Sequence, residues 1–130
     1  MAKTPVKIEI EGYKEREVLL VEYEFSQDVD VEGQMSGIPR GGKIHLVVKA
    51  LNDGTPDLMA WMLEKNLAKE GKISFSETKT GKQMKTIEFK GGYCVEYHER
   101  WEDKQEHMEE IVISCKNIKF GSVVFENEWA

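Results

Sequence analysis

The chain has 130 residues, of which 24 are acidic and 18 basic, so its formal net charge is −6 at neutral pH. This length suits one domain over residues 1–130, and a nucleic-acid partner is not expected because the chain is acidic and its basic residues do not cluster. No apolar run approaches the roughly 20 residues of a membrane helix or forms a signal peptide, so we expect neither membrane insertion nor classical secretion.

Alternation of apolar and polar residues dominates the chain and predicts short β-strands. Residues 6–11 alternate strictly, and residues 19–25 place Leu19 on the same apolar face as the aromatic residues that follow it. Gly91 and Gly92 are expected to end a strand. Seven or eight strands with mostly hairpin-length connections favour a mainly β fold, an antiparallel sandwich or barrel. The other alternating segments are 44–48, 73–75, 87–89, 93–97, 111–115, 118–120 and 123–125.

One segment departs from this alternation and predicts a helix at about residues 56–70. Thr55 can cap it, Pro56 suits the first helical position and Asp57 complements the helix dipole. Apolar residues recur at helical spacing through residues 58–67, and Gly71 can end the helix. We interpret this apolar stripe as core packing against the sheet and not as a cofactor site.

A connection of about 15 residues, 28–42, joins two predicted strands, and loops of this length are usually functional. A phosphate-binding loop would need a helix to follow, whereas a strand follows here. A calcium loop through Asp28, Asp30 and Glu32 lacks the bidentate glutamate of such loops. The composition favours an extended arm, residues 28–42, that contacts another subunit. The residues assigned to this contact are Asp28, Asp30, Val31, Gly33, Met35, Ile38, Pro39, Arg40, Gly41 and Gly42.

The three histidines and two cysteines form no catalytic or metal-binding motif. Cys94 and His98 are four residues apart on a predicted strand, about 13 Å along one face, which is too far to bind one ion. His45 lies opposite an apolar face and is interpreted as a surface histidine. Cys94 and Cys115 fall on opposite parities, so both are expected to stay reduced, as in the cytoplasm. The sequence predicts no catalytic residue, no metal and no cofactor.

Three motifs stand out by their order and spacing: Phe25-Ser26-Gln27-Asp28-Val29-Asp30, then Gly33-Gln34 with Gly41-Gly42-Lys43-Ile44, and the ending Asn127-Glu128-Trp129. By the order and spacing of these motifs, the chain resembles the hemolysin-coregulated protein (Hcp) family over its whole length. Members of this family are the tube subunits of type VI secretion systems, and the chain resembles in particular the branch found in Bacteroidota. The resemblance implies a small antiparallel β-barrel of two packed sheets with one α-helix. It also implies rings of six subunits that stack into a tube through the arm.

The resemblance further implies that the protein is assembled in the cytoplasm and exported through the type VI apparatus without a signal peptide. Its implied partners are further copies of the chain, the spike protein, the sheath, the baseplate and effector proteins carried in the pore. Independently of the resemblance, an open β fold leaves strand edges unpaired, and we expect copies of the chain to cover them.

Two alternatives remain open on the sequence alone. A phage-like tail-tube subunit shares the same architecture. A monomeric ligand-binding β-barrel would instead hold a small apolar molecule at its mouth. The aromatic residues available to line such a mouth are Tyr93, Tyr97, Trp101 and Trp129.

Overall fold

The computed structural model describes residues 6–25, 31–34, 41–51, 55–64, 66–76, 83–103 and 107–126. This part of the chain contains seven strands and one helix. In chain order they are β1 (Val6–Ile10), β2 (Arg16–Tyr23), β3 (Lys43–Lys49), α1 (Asp57–Leu63), β4 (Lys69–Ser76), β5 (Gln83–Arg100), β6 (Met108–Phe120) and β7 (Val123–Glu126).

The strands form one antiparallel sheet in the order β3-β2-β1-β4-β5-β6-β7. The sheet closes because β3 also pairs with β6, from Lys43 opposite Ser114 to Lys49 opposite Met108. Six strands therefore make a closed barrel, and β7 is an additional strand on β6. The prediction of a mainly β, antiparallel barrel with one helix is confirmed. Because the β3–β6 pairing seals the barrel within the chain, the unpaired edges expected of an open β fold are limited, among the described strands, to β7.

The barrel interior is filled by aliphatic and aromatic side chains from alternate strand positions, as the sequence pattern predicts. These side chains are almost completely buried, so they supply the main apolar contribution to folding. The best buried among them are Ile8, Ile44, Leu46, Val48, Ile73, Ile87, Phe89, Ile111, Ile113 and Ile118.

Strand β2 departs from the predicted pattern. Its register with β3 shifts between Val18 and Leu20, which is the signature of a bulge. Val18 is buried, whereas Leu19 and Leu20 are exposed. The placement of Leu19 on the apolar face was therefore wrong, because one extra residue reverses the side to which the following side chains point.

Strands β5 and β6 are each longer than predicted. Strand β5 continues through Gly91 and Gly92, and the pairing of Gly92 with Cys115 keeps the register with β6, whereas the register with β4 shifts here. The expected break at these glycines was wrong. Gly92 is needed at this position because a methyl group here would lie 2.9 Å from the ring of Phe89, so this glycine serves packing and does not end the strand.

Helix α1 is shorter than the predicted 56–70 and ends at Leu63, with the strand β4 beginning at Lys69. Asn66 adopts a left-handed conformation with φ 62°, so the chain reverses there and not at Gly71. The indole Nε1 of Trp61 donates a hydrogen bond to the Leu67 carbonyl at 2.9 Å. Leu67 therefore packs back on the helix from the following loop, although its spacing from Leu63 fits a helix.

A buried ionic network holds α1 on the barrel. The guanidinium of Arg16 in β2 pairs with Asp57 at the start of α1 and with Glu109 in β6, the latter at 2.5 Å. The same guanidinium donates to the Lys49 carbonyl at 3.2 Å. The Asp57 carboxylate also accepts a hydrogen bond from the Leu58 amide at 2.8 Å. Asp57 thus lies in the first turn of α1 as predicted, and the guanidinium of Arg16 from the barrel lies beside it.

Both cysteines lie in the core and neither forms a disulfide in the described part of the chain. That both thiols stay reduced remains a prediction, and the reasoning from opposite parities was wrong. Cys115 pairs with Gly92, two residues from Cys94, so both side chains point to the interior from diagonal positions. Burial raises the pKa of Cys94 to about 11 and that of Cys115 to about 12.

These raised pKa values predict a slow native reaction with thiol reagents, because the thiolate is the nucleophile. We expect Ellman's reagent at pH 8 to modify neither cysteine quickly in the native protein and to modify two thiols per chain in denaturant. Fast modification of the native protein would contradict the burial described above. The time course of absorbance at pH 8 measures the rate at which the thiols are modified.

Candidate assembly surface

The arm leaves and rejoins the barrel at one end, where β2 ends, β3 begins and β6 turns into β7. We call this the arm end, and the opposite end, which carries α1, the helix end. Of the arm residues assigned from sequence, Val31 and Gly33 are described and exposed, and Val31 is fully accessible at 104%. Gly41 and Gly42 are described at the barrel junction. Asp28, Asp30, Met35, Ile38, Pro39 and Arg40 lie outside the described residues.

The junction of the arm with β3 needs both glycines. Gly41 lies against the Phe25 ring, and a methyl group on it would lie 2.9 Å from the Glu24 carbonyl. Gly42 has φ +89°, a conformation that favours glycine, and its carbonyl accepts a hydrogen bond from the Cys115 amide at 2.6 Å. Gly42 therefore links the end of the arm to β6, and Gly41 packs it against the residues that follow β2.

Four aromatic rings anchor the other end of the arm. Phe25 lies 4.8 Å from Phe125, 5.7 Å from Phe120 and 6.3 Å from Tyr23, measured between ring centroids. The ammonium of Lys85 donates to the Tyr23 hydroxyl at 2.7 Å and lies over the Phe120 ring at 5.9 Å. The sequence shows these aromatic residues only at the ends of separate strands, so their clustering could not be predicted from periodicity.

Strand β7 extends the apolar surface of the arm end. It pairs with β6 through four residue pairs, from Asn117 opposite Glu126 to Phe120 opposite Val123. Among the described strands, β7 alone has a neighbour on only one side. Consecutive residues Val123 and Val124 point to opposite faces, yet they are 65% and 60% exposed. This strand therefore presents two apolar faces and one open edge to solvent.

His45 holds a charged cluster on the outside of the barrel seam. Its Nε2 contacts a Glu110 carboxylate oxygen, and its Nδ1 lies 3.5 Å from Glu22 Oε2. Burial opposes protonation and is the largest single influence on the pKa of His45, but the hydrogen bonds and charges of Glu110 and Glu22 together outweigh it and raise that pKa. His98 of β5 lies opposite Glu110 in register. The cluster links β2, β3 and β6 at the closing pair of strands.

Because the folded pKa of His45 is raised, its contribution to stability is fully present below the unfolded pKa of about 6.5 and is lost as pH rises through the folded pKa. We expect His45→Gln to reduce the free energy of unfolding at about pH 5.5 by under roughly 1 kcal/mol, and by less at about pH 8.5, since the cluster is partly exposed. Denaturant titrations of both proteins at both pH values measure the difference. An equal effect at the two pH values would contradict the assigned protonation.

The described residues offer no site typical of a metal enzyme or a hydrolase. No group of three or more metal-binding side chains occurs among them. The thiol of Cys94 is buried with a raised pKa, which opposes a nucleophilic role. The hydroxyl oxygen of Tyr97, a candidate for a ligand-binding mouth, lies 2.6 Å from Glu109 Oε2 and 2.9 Å from Glu99 Oε2, and its one hydrogen is donated to one of these carboxylates. Trp101 is exposed, and its ring lies 4.4 Å from that of His107. Trp129 lies outside the described residues.

No helix in the described part of the chain is long and apolar enough to cross a membrane. A closed barrel with a packed interior, an anchored arm and exposed apolar elements at one end is an architecture that suits a subunit of an assembly. The comparisons with known proteins agree with that class.

The chain belongs to the hemolysin coregulated protein Hcp (TssD) family, whose model matches residues 2–130. The chain is similar to Hcp1 from Flavobacterium johnsoniae, with a TM-score of 0.86, 28% identity and coverage of 95% of this chain and 99% of that one. The expected resemblance to the branch in Bacteroidota is thereby confirmed. No curated protein matches the chain significantly in sequence.

More distant structures share the fold. Hcp1 from E. coli EAEC 042 has a TM-score of 0.76 at 11% identity, covering 98% of this chain and 100% of that one. Hcp3 from Pseudomonas aeruginosa, a secreted protein, has a TM-score of 0.66 at 12% identity, covering 98% and 99%. Family membership makes the chain a tube protein of the type VI secretion system. The family is a structural, non-enzymatic one, and its members assemble as oligomers.

Proposed function

We propose that the chain closes into rings of six subunits, and that these rings stack into a tube that is propelled out of the cell and carries effector proteins. The observation that carries this proposal is the exposed apolar strand β7, together with the arm that leaves the same end of the barrel. The number of subunits and the order of assembly come from the family resemblance.

The ring contact is assigned to β7. Strand edges with exposed apolar residues favour pairing with another chain, and folded proteins normally cover them. Val123 and Val124 lie on such an edge, and the barrel itself is closed, so the described part of the sheet offers this edge to a second copy. A head-to-tail contact of this kind closes into a ring when its rotation divides a full turn.

The stacking contact is assigned to the arm. Val31 is fully exposed, although an aliphatic side chain gains about 1.5–3 kcal/mol on burial. With Met35 and Ile38, it would give the arm three apolar anchors for the next ring. Asp28, Asp30, Pro39 and Arg40 belong to the same proposed contact, whereas Gly41 and Gly42 hold the arm on its own barrel.

The remaining partners follow from the same proposal. The assembled tube would contact the spike protein at its tip, the sheath around it and the baseplate below it, with effectors in its pore. Assembly would take place in the cytoplasm, and export through the apparatus would need no signal peptide.

Substitutions in the arm test the stacking contact. We expect Met35→Asp and Ile38→Asp to remove species larger than a single ring, because a charge would enter a buried contact. Met35→Leu keeps the apolar volume and is the matched control, for which assembly is expected to stay unchanged. Sedimentation velocity at one protein concentration measures the size distribution. If both aspartate variants stack like the original chain, the arm is not the contact.

A further inference from the structure

Exposed apolar side chains also gather at the helix end, opposite to the end where the arm leaves the barrel. Leu63 and Trp101 are both 75% exposed, and Met59 is 38% exposed. Large apolar side chains that lie together on a surface usually mark a contact with another molecule. The proposed ring contact on β7 does not use these three residues, so their exposure needs a separate explanation.

The three side chains form one surface, which we call the helix-end patch (Met59, Leu63 and Trp101). Met59 and Leu63 are four residues apart in α1, so they lie on the same side of the helix. Met59 and His107 line the same cleft, which has a volume of about 260 Å³. The Trp101 ring lies 4.4 Å from the His107 ring. The patch therefore runs from the end of α1 to the start of the β5–β6 connection.

Stacking into a long tube limits what the arm can contact. A contact between two arms would be the same on both rings, so stacking would stop at two rings, whereas a stack that continues needs two different surfaces. The arm leaves the barrel at the arm end, so the surface that receives it has to lie at the helix end. Among the described residues there, Leu63 and Trp101 are the most exposed large apolar side chains.

Exposed charges favour the same orientation of neighbouring rings. Around the helix-end patch they are mainly acidic, since Glu64 follows α1 and Glu102 and Asp103 follow Trp101. The arm end carries exposed charges of both signs. They include Glu22, Glu24, Lys43, Lys85 and Lys119. Two helix ends would therefore repel each other, whereas a helix end on an arm end brings opposite charges within reach.

We propose that the helix-end patch receives the arm of a second copy of the chain, which belongs to the next ring. This inference rests on the proposed stacking of rings and names the surface on which stacking occurs. Val31 is 104% exposed in the single chain, and it would be covered by Leu63 and Trp101 of the second copy. The contact joins apolar side chains that are otherwise left in water on both partners.

Cross-linking between engineered cysteines tests this contact. The variants are Val31→Cys, Leu63→Cys and the chain that carries both, and each is treated with a short bismaleimide under conditions in which the original chain stacks. Both native cysteines are buried, so the new thiols react first. We expect the double variant to give a ladder of covalently joined chains, because each copy would link to the ring above and the ring below. Each single variant is expected to give no ladder.

A substitution in the patch tests its contribution to stacking. Leu63→Asp is expected to weaken the association of rings about tenfold or more, because a charge replaces an apolar side chain in the contact. The rings themselves should form as before, and the fold should tolerate the change since Leu63 is exposed. Leu63→Met keeps the apolar volume and is the matched control. Sedimentation velocity separates single rings from stacks, and circular dichroism checks the fold.

Three outcomes would overturn the proposal. Stacks of the double cysteine variant that give no ladder, or stacking by Leu63→Asp at the level of the original chain, would exclude the helix-end patch and leave the proposed stacking intact. Cross-linked pairs from Val31→Cys alone, without a ladder from the double variant, would show that arms contact arms. If the original chain forms rings that never stack, the proposed stacking is wrong and this inference fails with it.

Discussion

Replacing Arg16 with methionine is expected to lower the free energy of unfolding by about 3–5 kcal/mol, the usual effect of removing one partner from a buried ion pair. Arg16 is 2% exposed, and its removal leaves the carboxylates of Asp57 and Glu109 buried without their cation. Because these carboxylates belong to α1 and β6, we expect the helix to lose its attachment to the barrel. Guanidinium unfolding at one protein concentration measures the change.

Arg100→Met is the matched control for this effect. Arg100 pairs with Glu102 at 2.6 Å, but both side chains are largely exposed. Exposed ion pairs contribute between zero and about 1 kcal/mol, so the control should change stability only slightly. Equal effects of the two substitutions would show that the network around Arg16 does not hold the helix end together.

A charge on strand β7 is expected to have the largest effect on assembly. Val124→Asp would place a carboxylate in the proposed ring contact, where an unpaired buried charge costs several kcal/mol, equivalent to about a hundredfold weaker association or more. The fold itself should tolerate the change, since Val124 is 60% exposed in the single chain. We expect sedimentation velocity to show the mass of one chain in place of the ring.

Ser122→Asp provides the control for β7, because it introduces the same charge in the exposed turn between β6 and β7. This variant should assemble like the original chain. If Val124→Asp also assembles normally while remaining folded by circular dichroism, β7 does not form the contact between copies.

The strands were largely predictable from sequence, and the exceptions have physical causes. Strict alternation in β1 and β3 identified Ile8, Ile44 and Leu46 as core residues. Alternate side chains of a strand point to opposite faces, and in the barrel one face is buried while the other contacts water. Bulges changed which residues face the barrel interior in β2 and in β5, where the register with β6 shifts between Cys94 and Glu96. A bulge inserts one extra residue into a strand and needs no particular residue type there, so the periodicity of the sequence alone does not reveal it.

The functional surfaces were less predictable. Arg16 pairs with Asp57 and Glu109, which lie 41 and 93 residues away in the sequence. In the sequence nothing distinguishes Arg16 from the other charged residues at the start of a strand. The closure of the barrel through β3 and β6 is equally non-local. The arm was recognisable from its length and glycines, but the exposed β7 beside it depends on the order of strands in the sheet.

The most direct measurement of the central claim is the mass and shape of the purified protein, by native mass spectrometry and negative-stain electron microscopy. A subunit that assembles as proposed gives a species of six times the 15.0 kDa chain and annular particles with an open centre. A uniform population of single chains across the micromolar range, with no annular particles, would contradict a ring-forming tube protein.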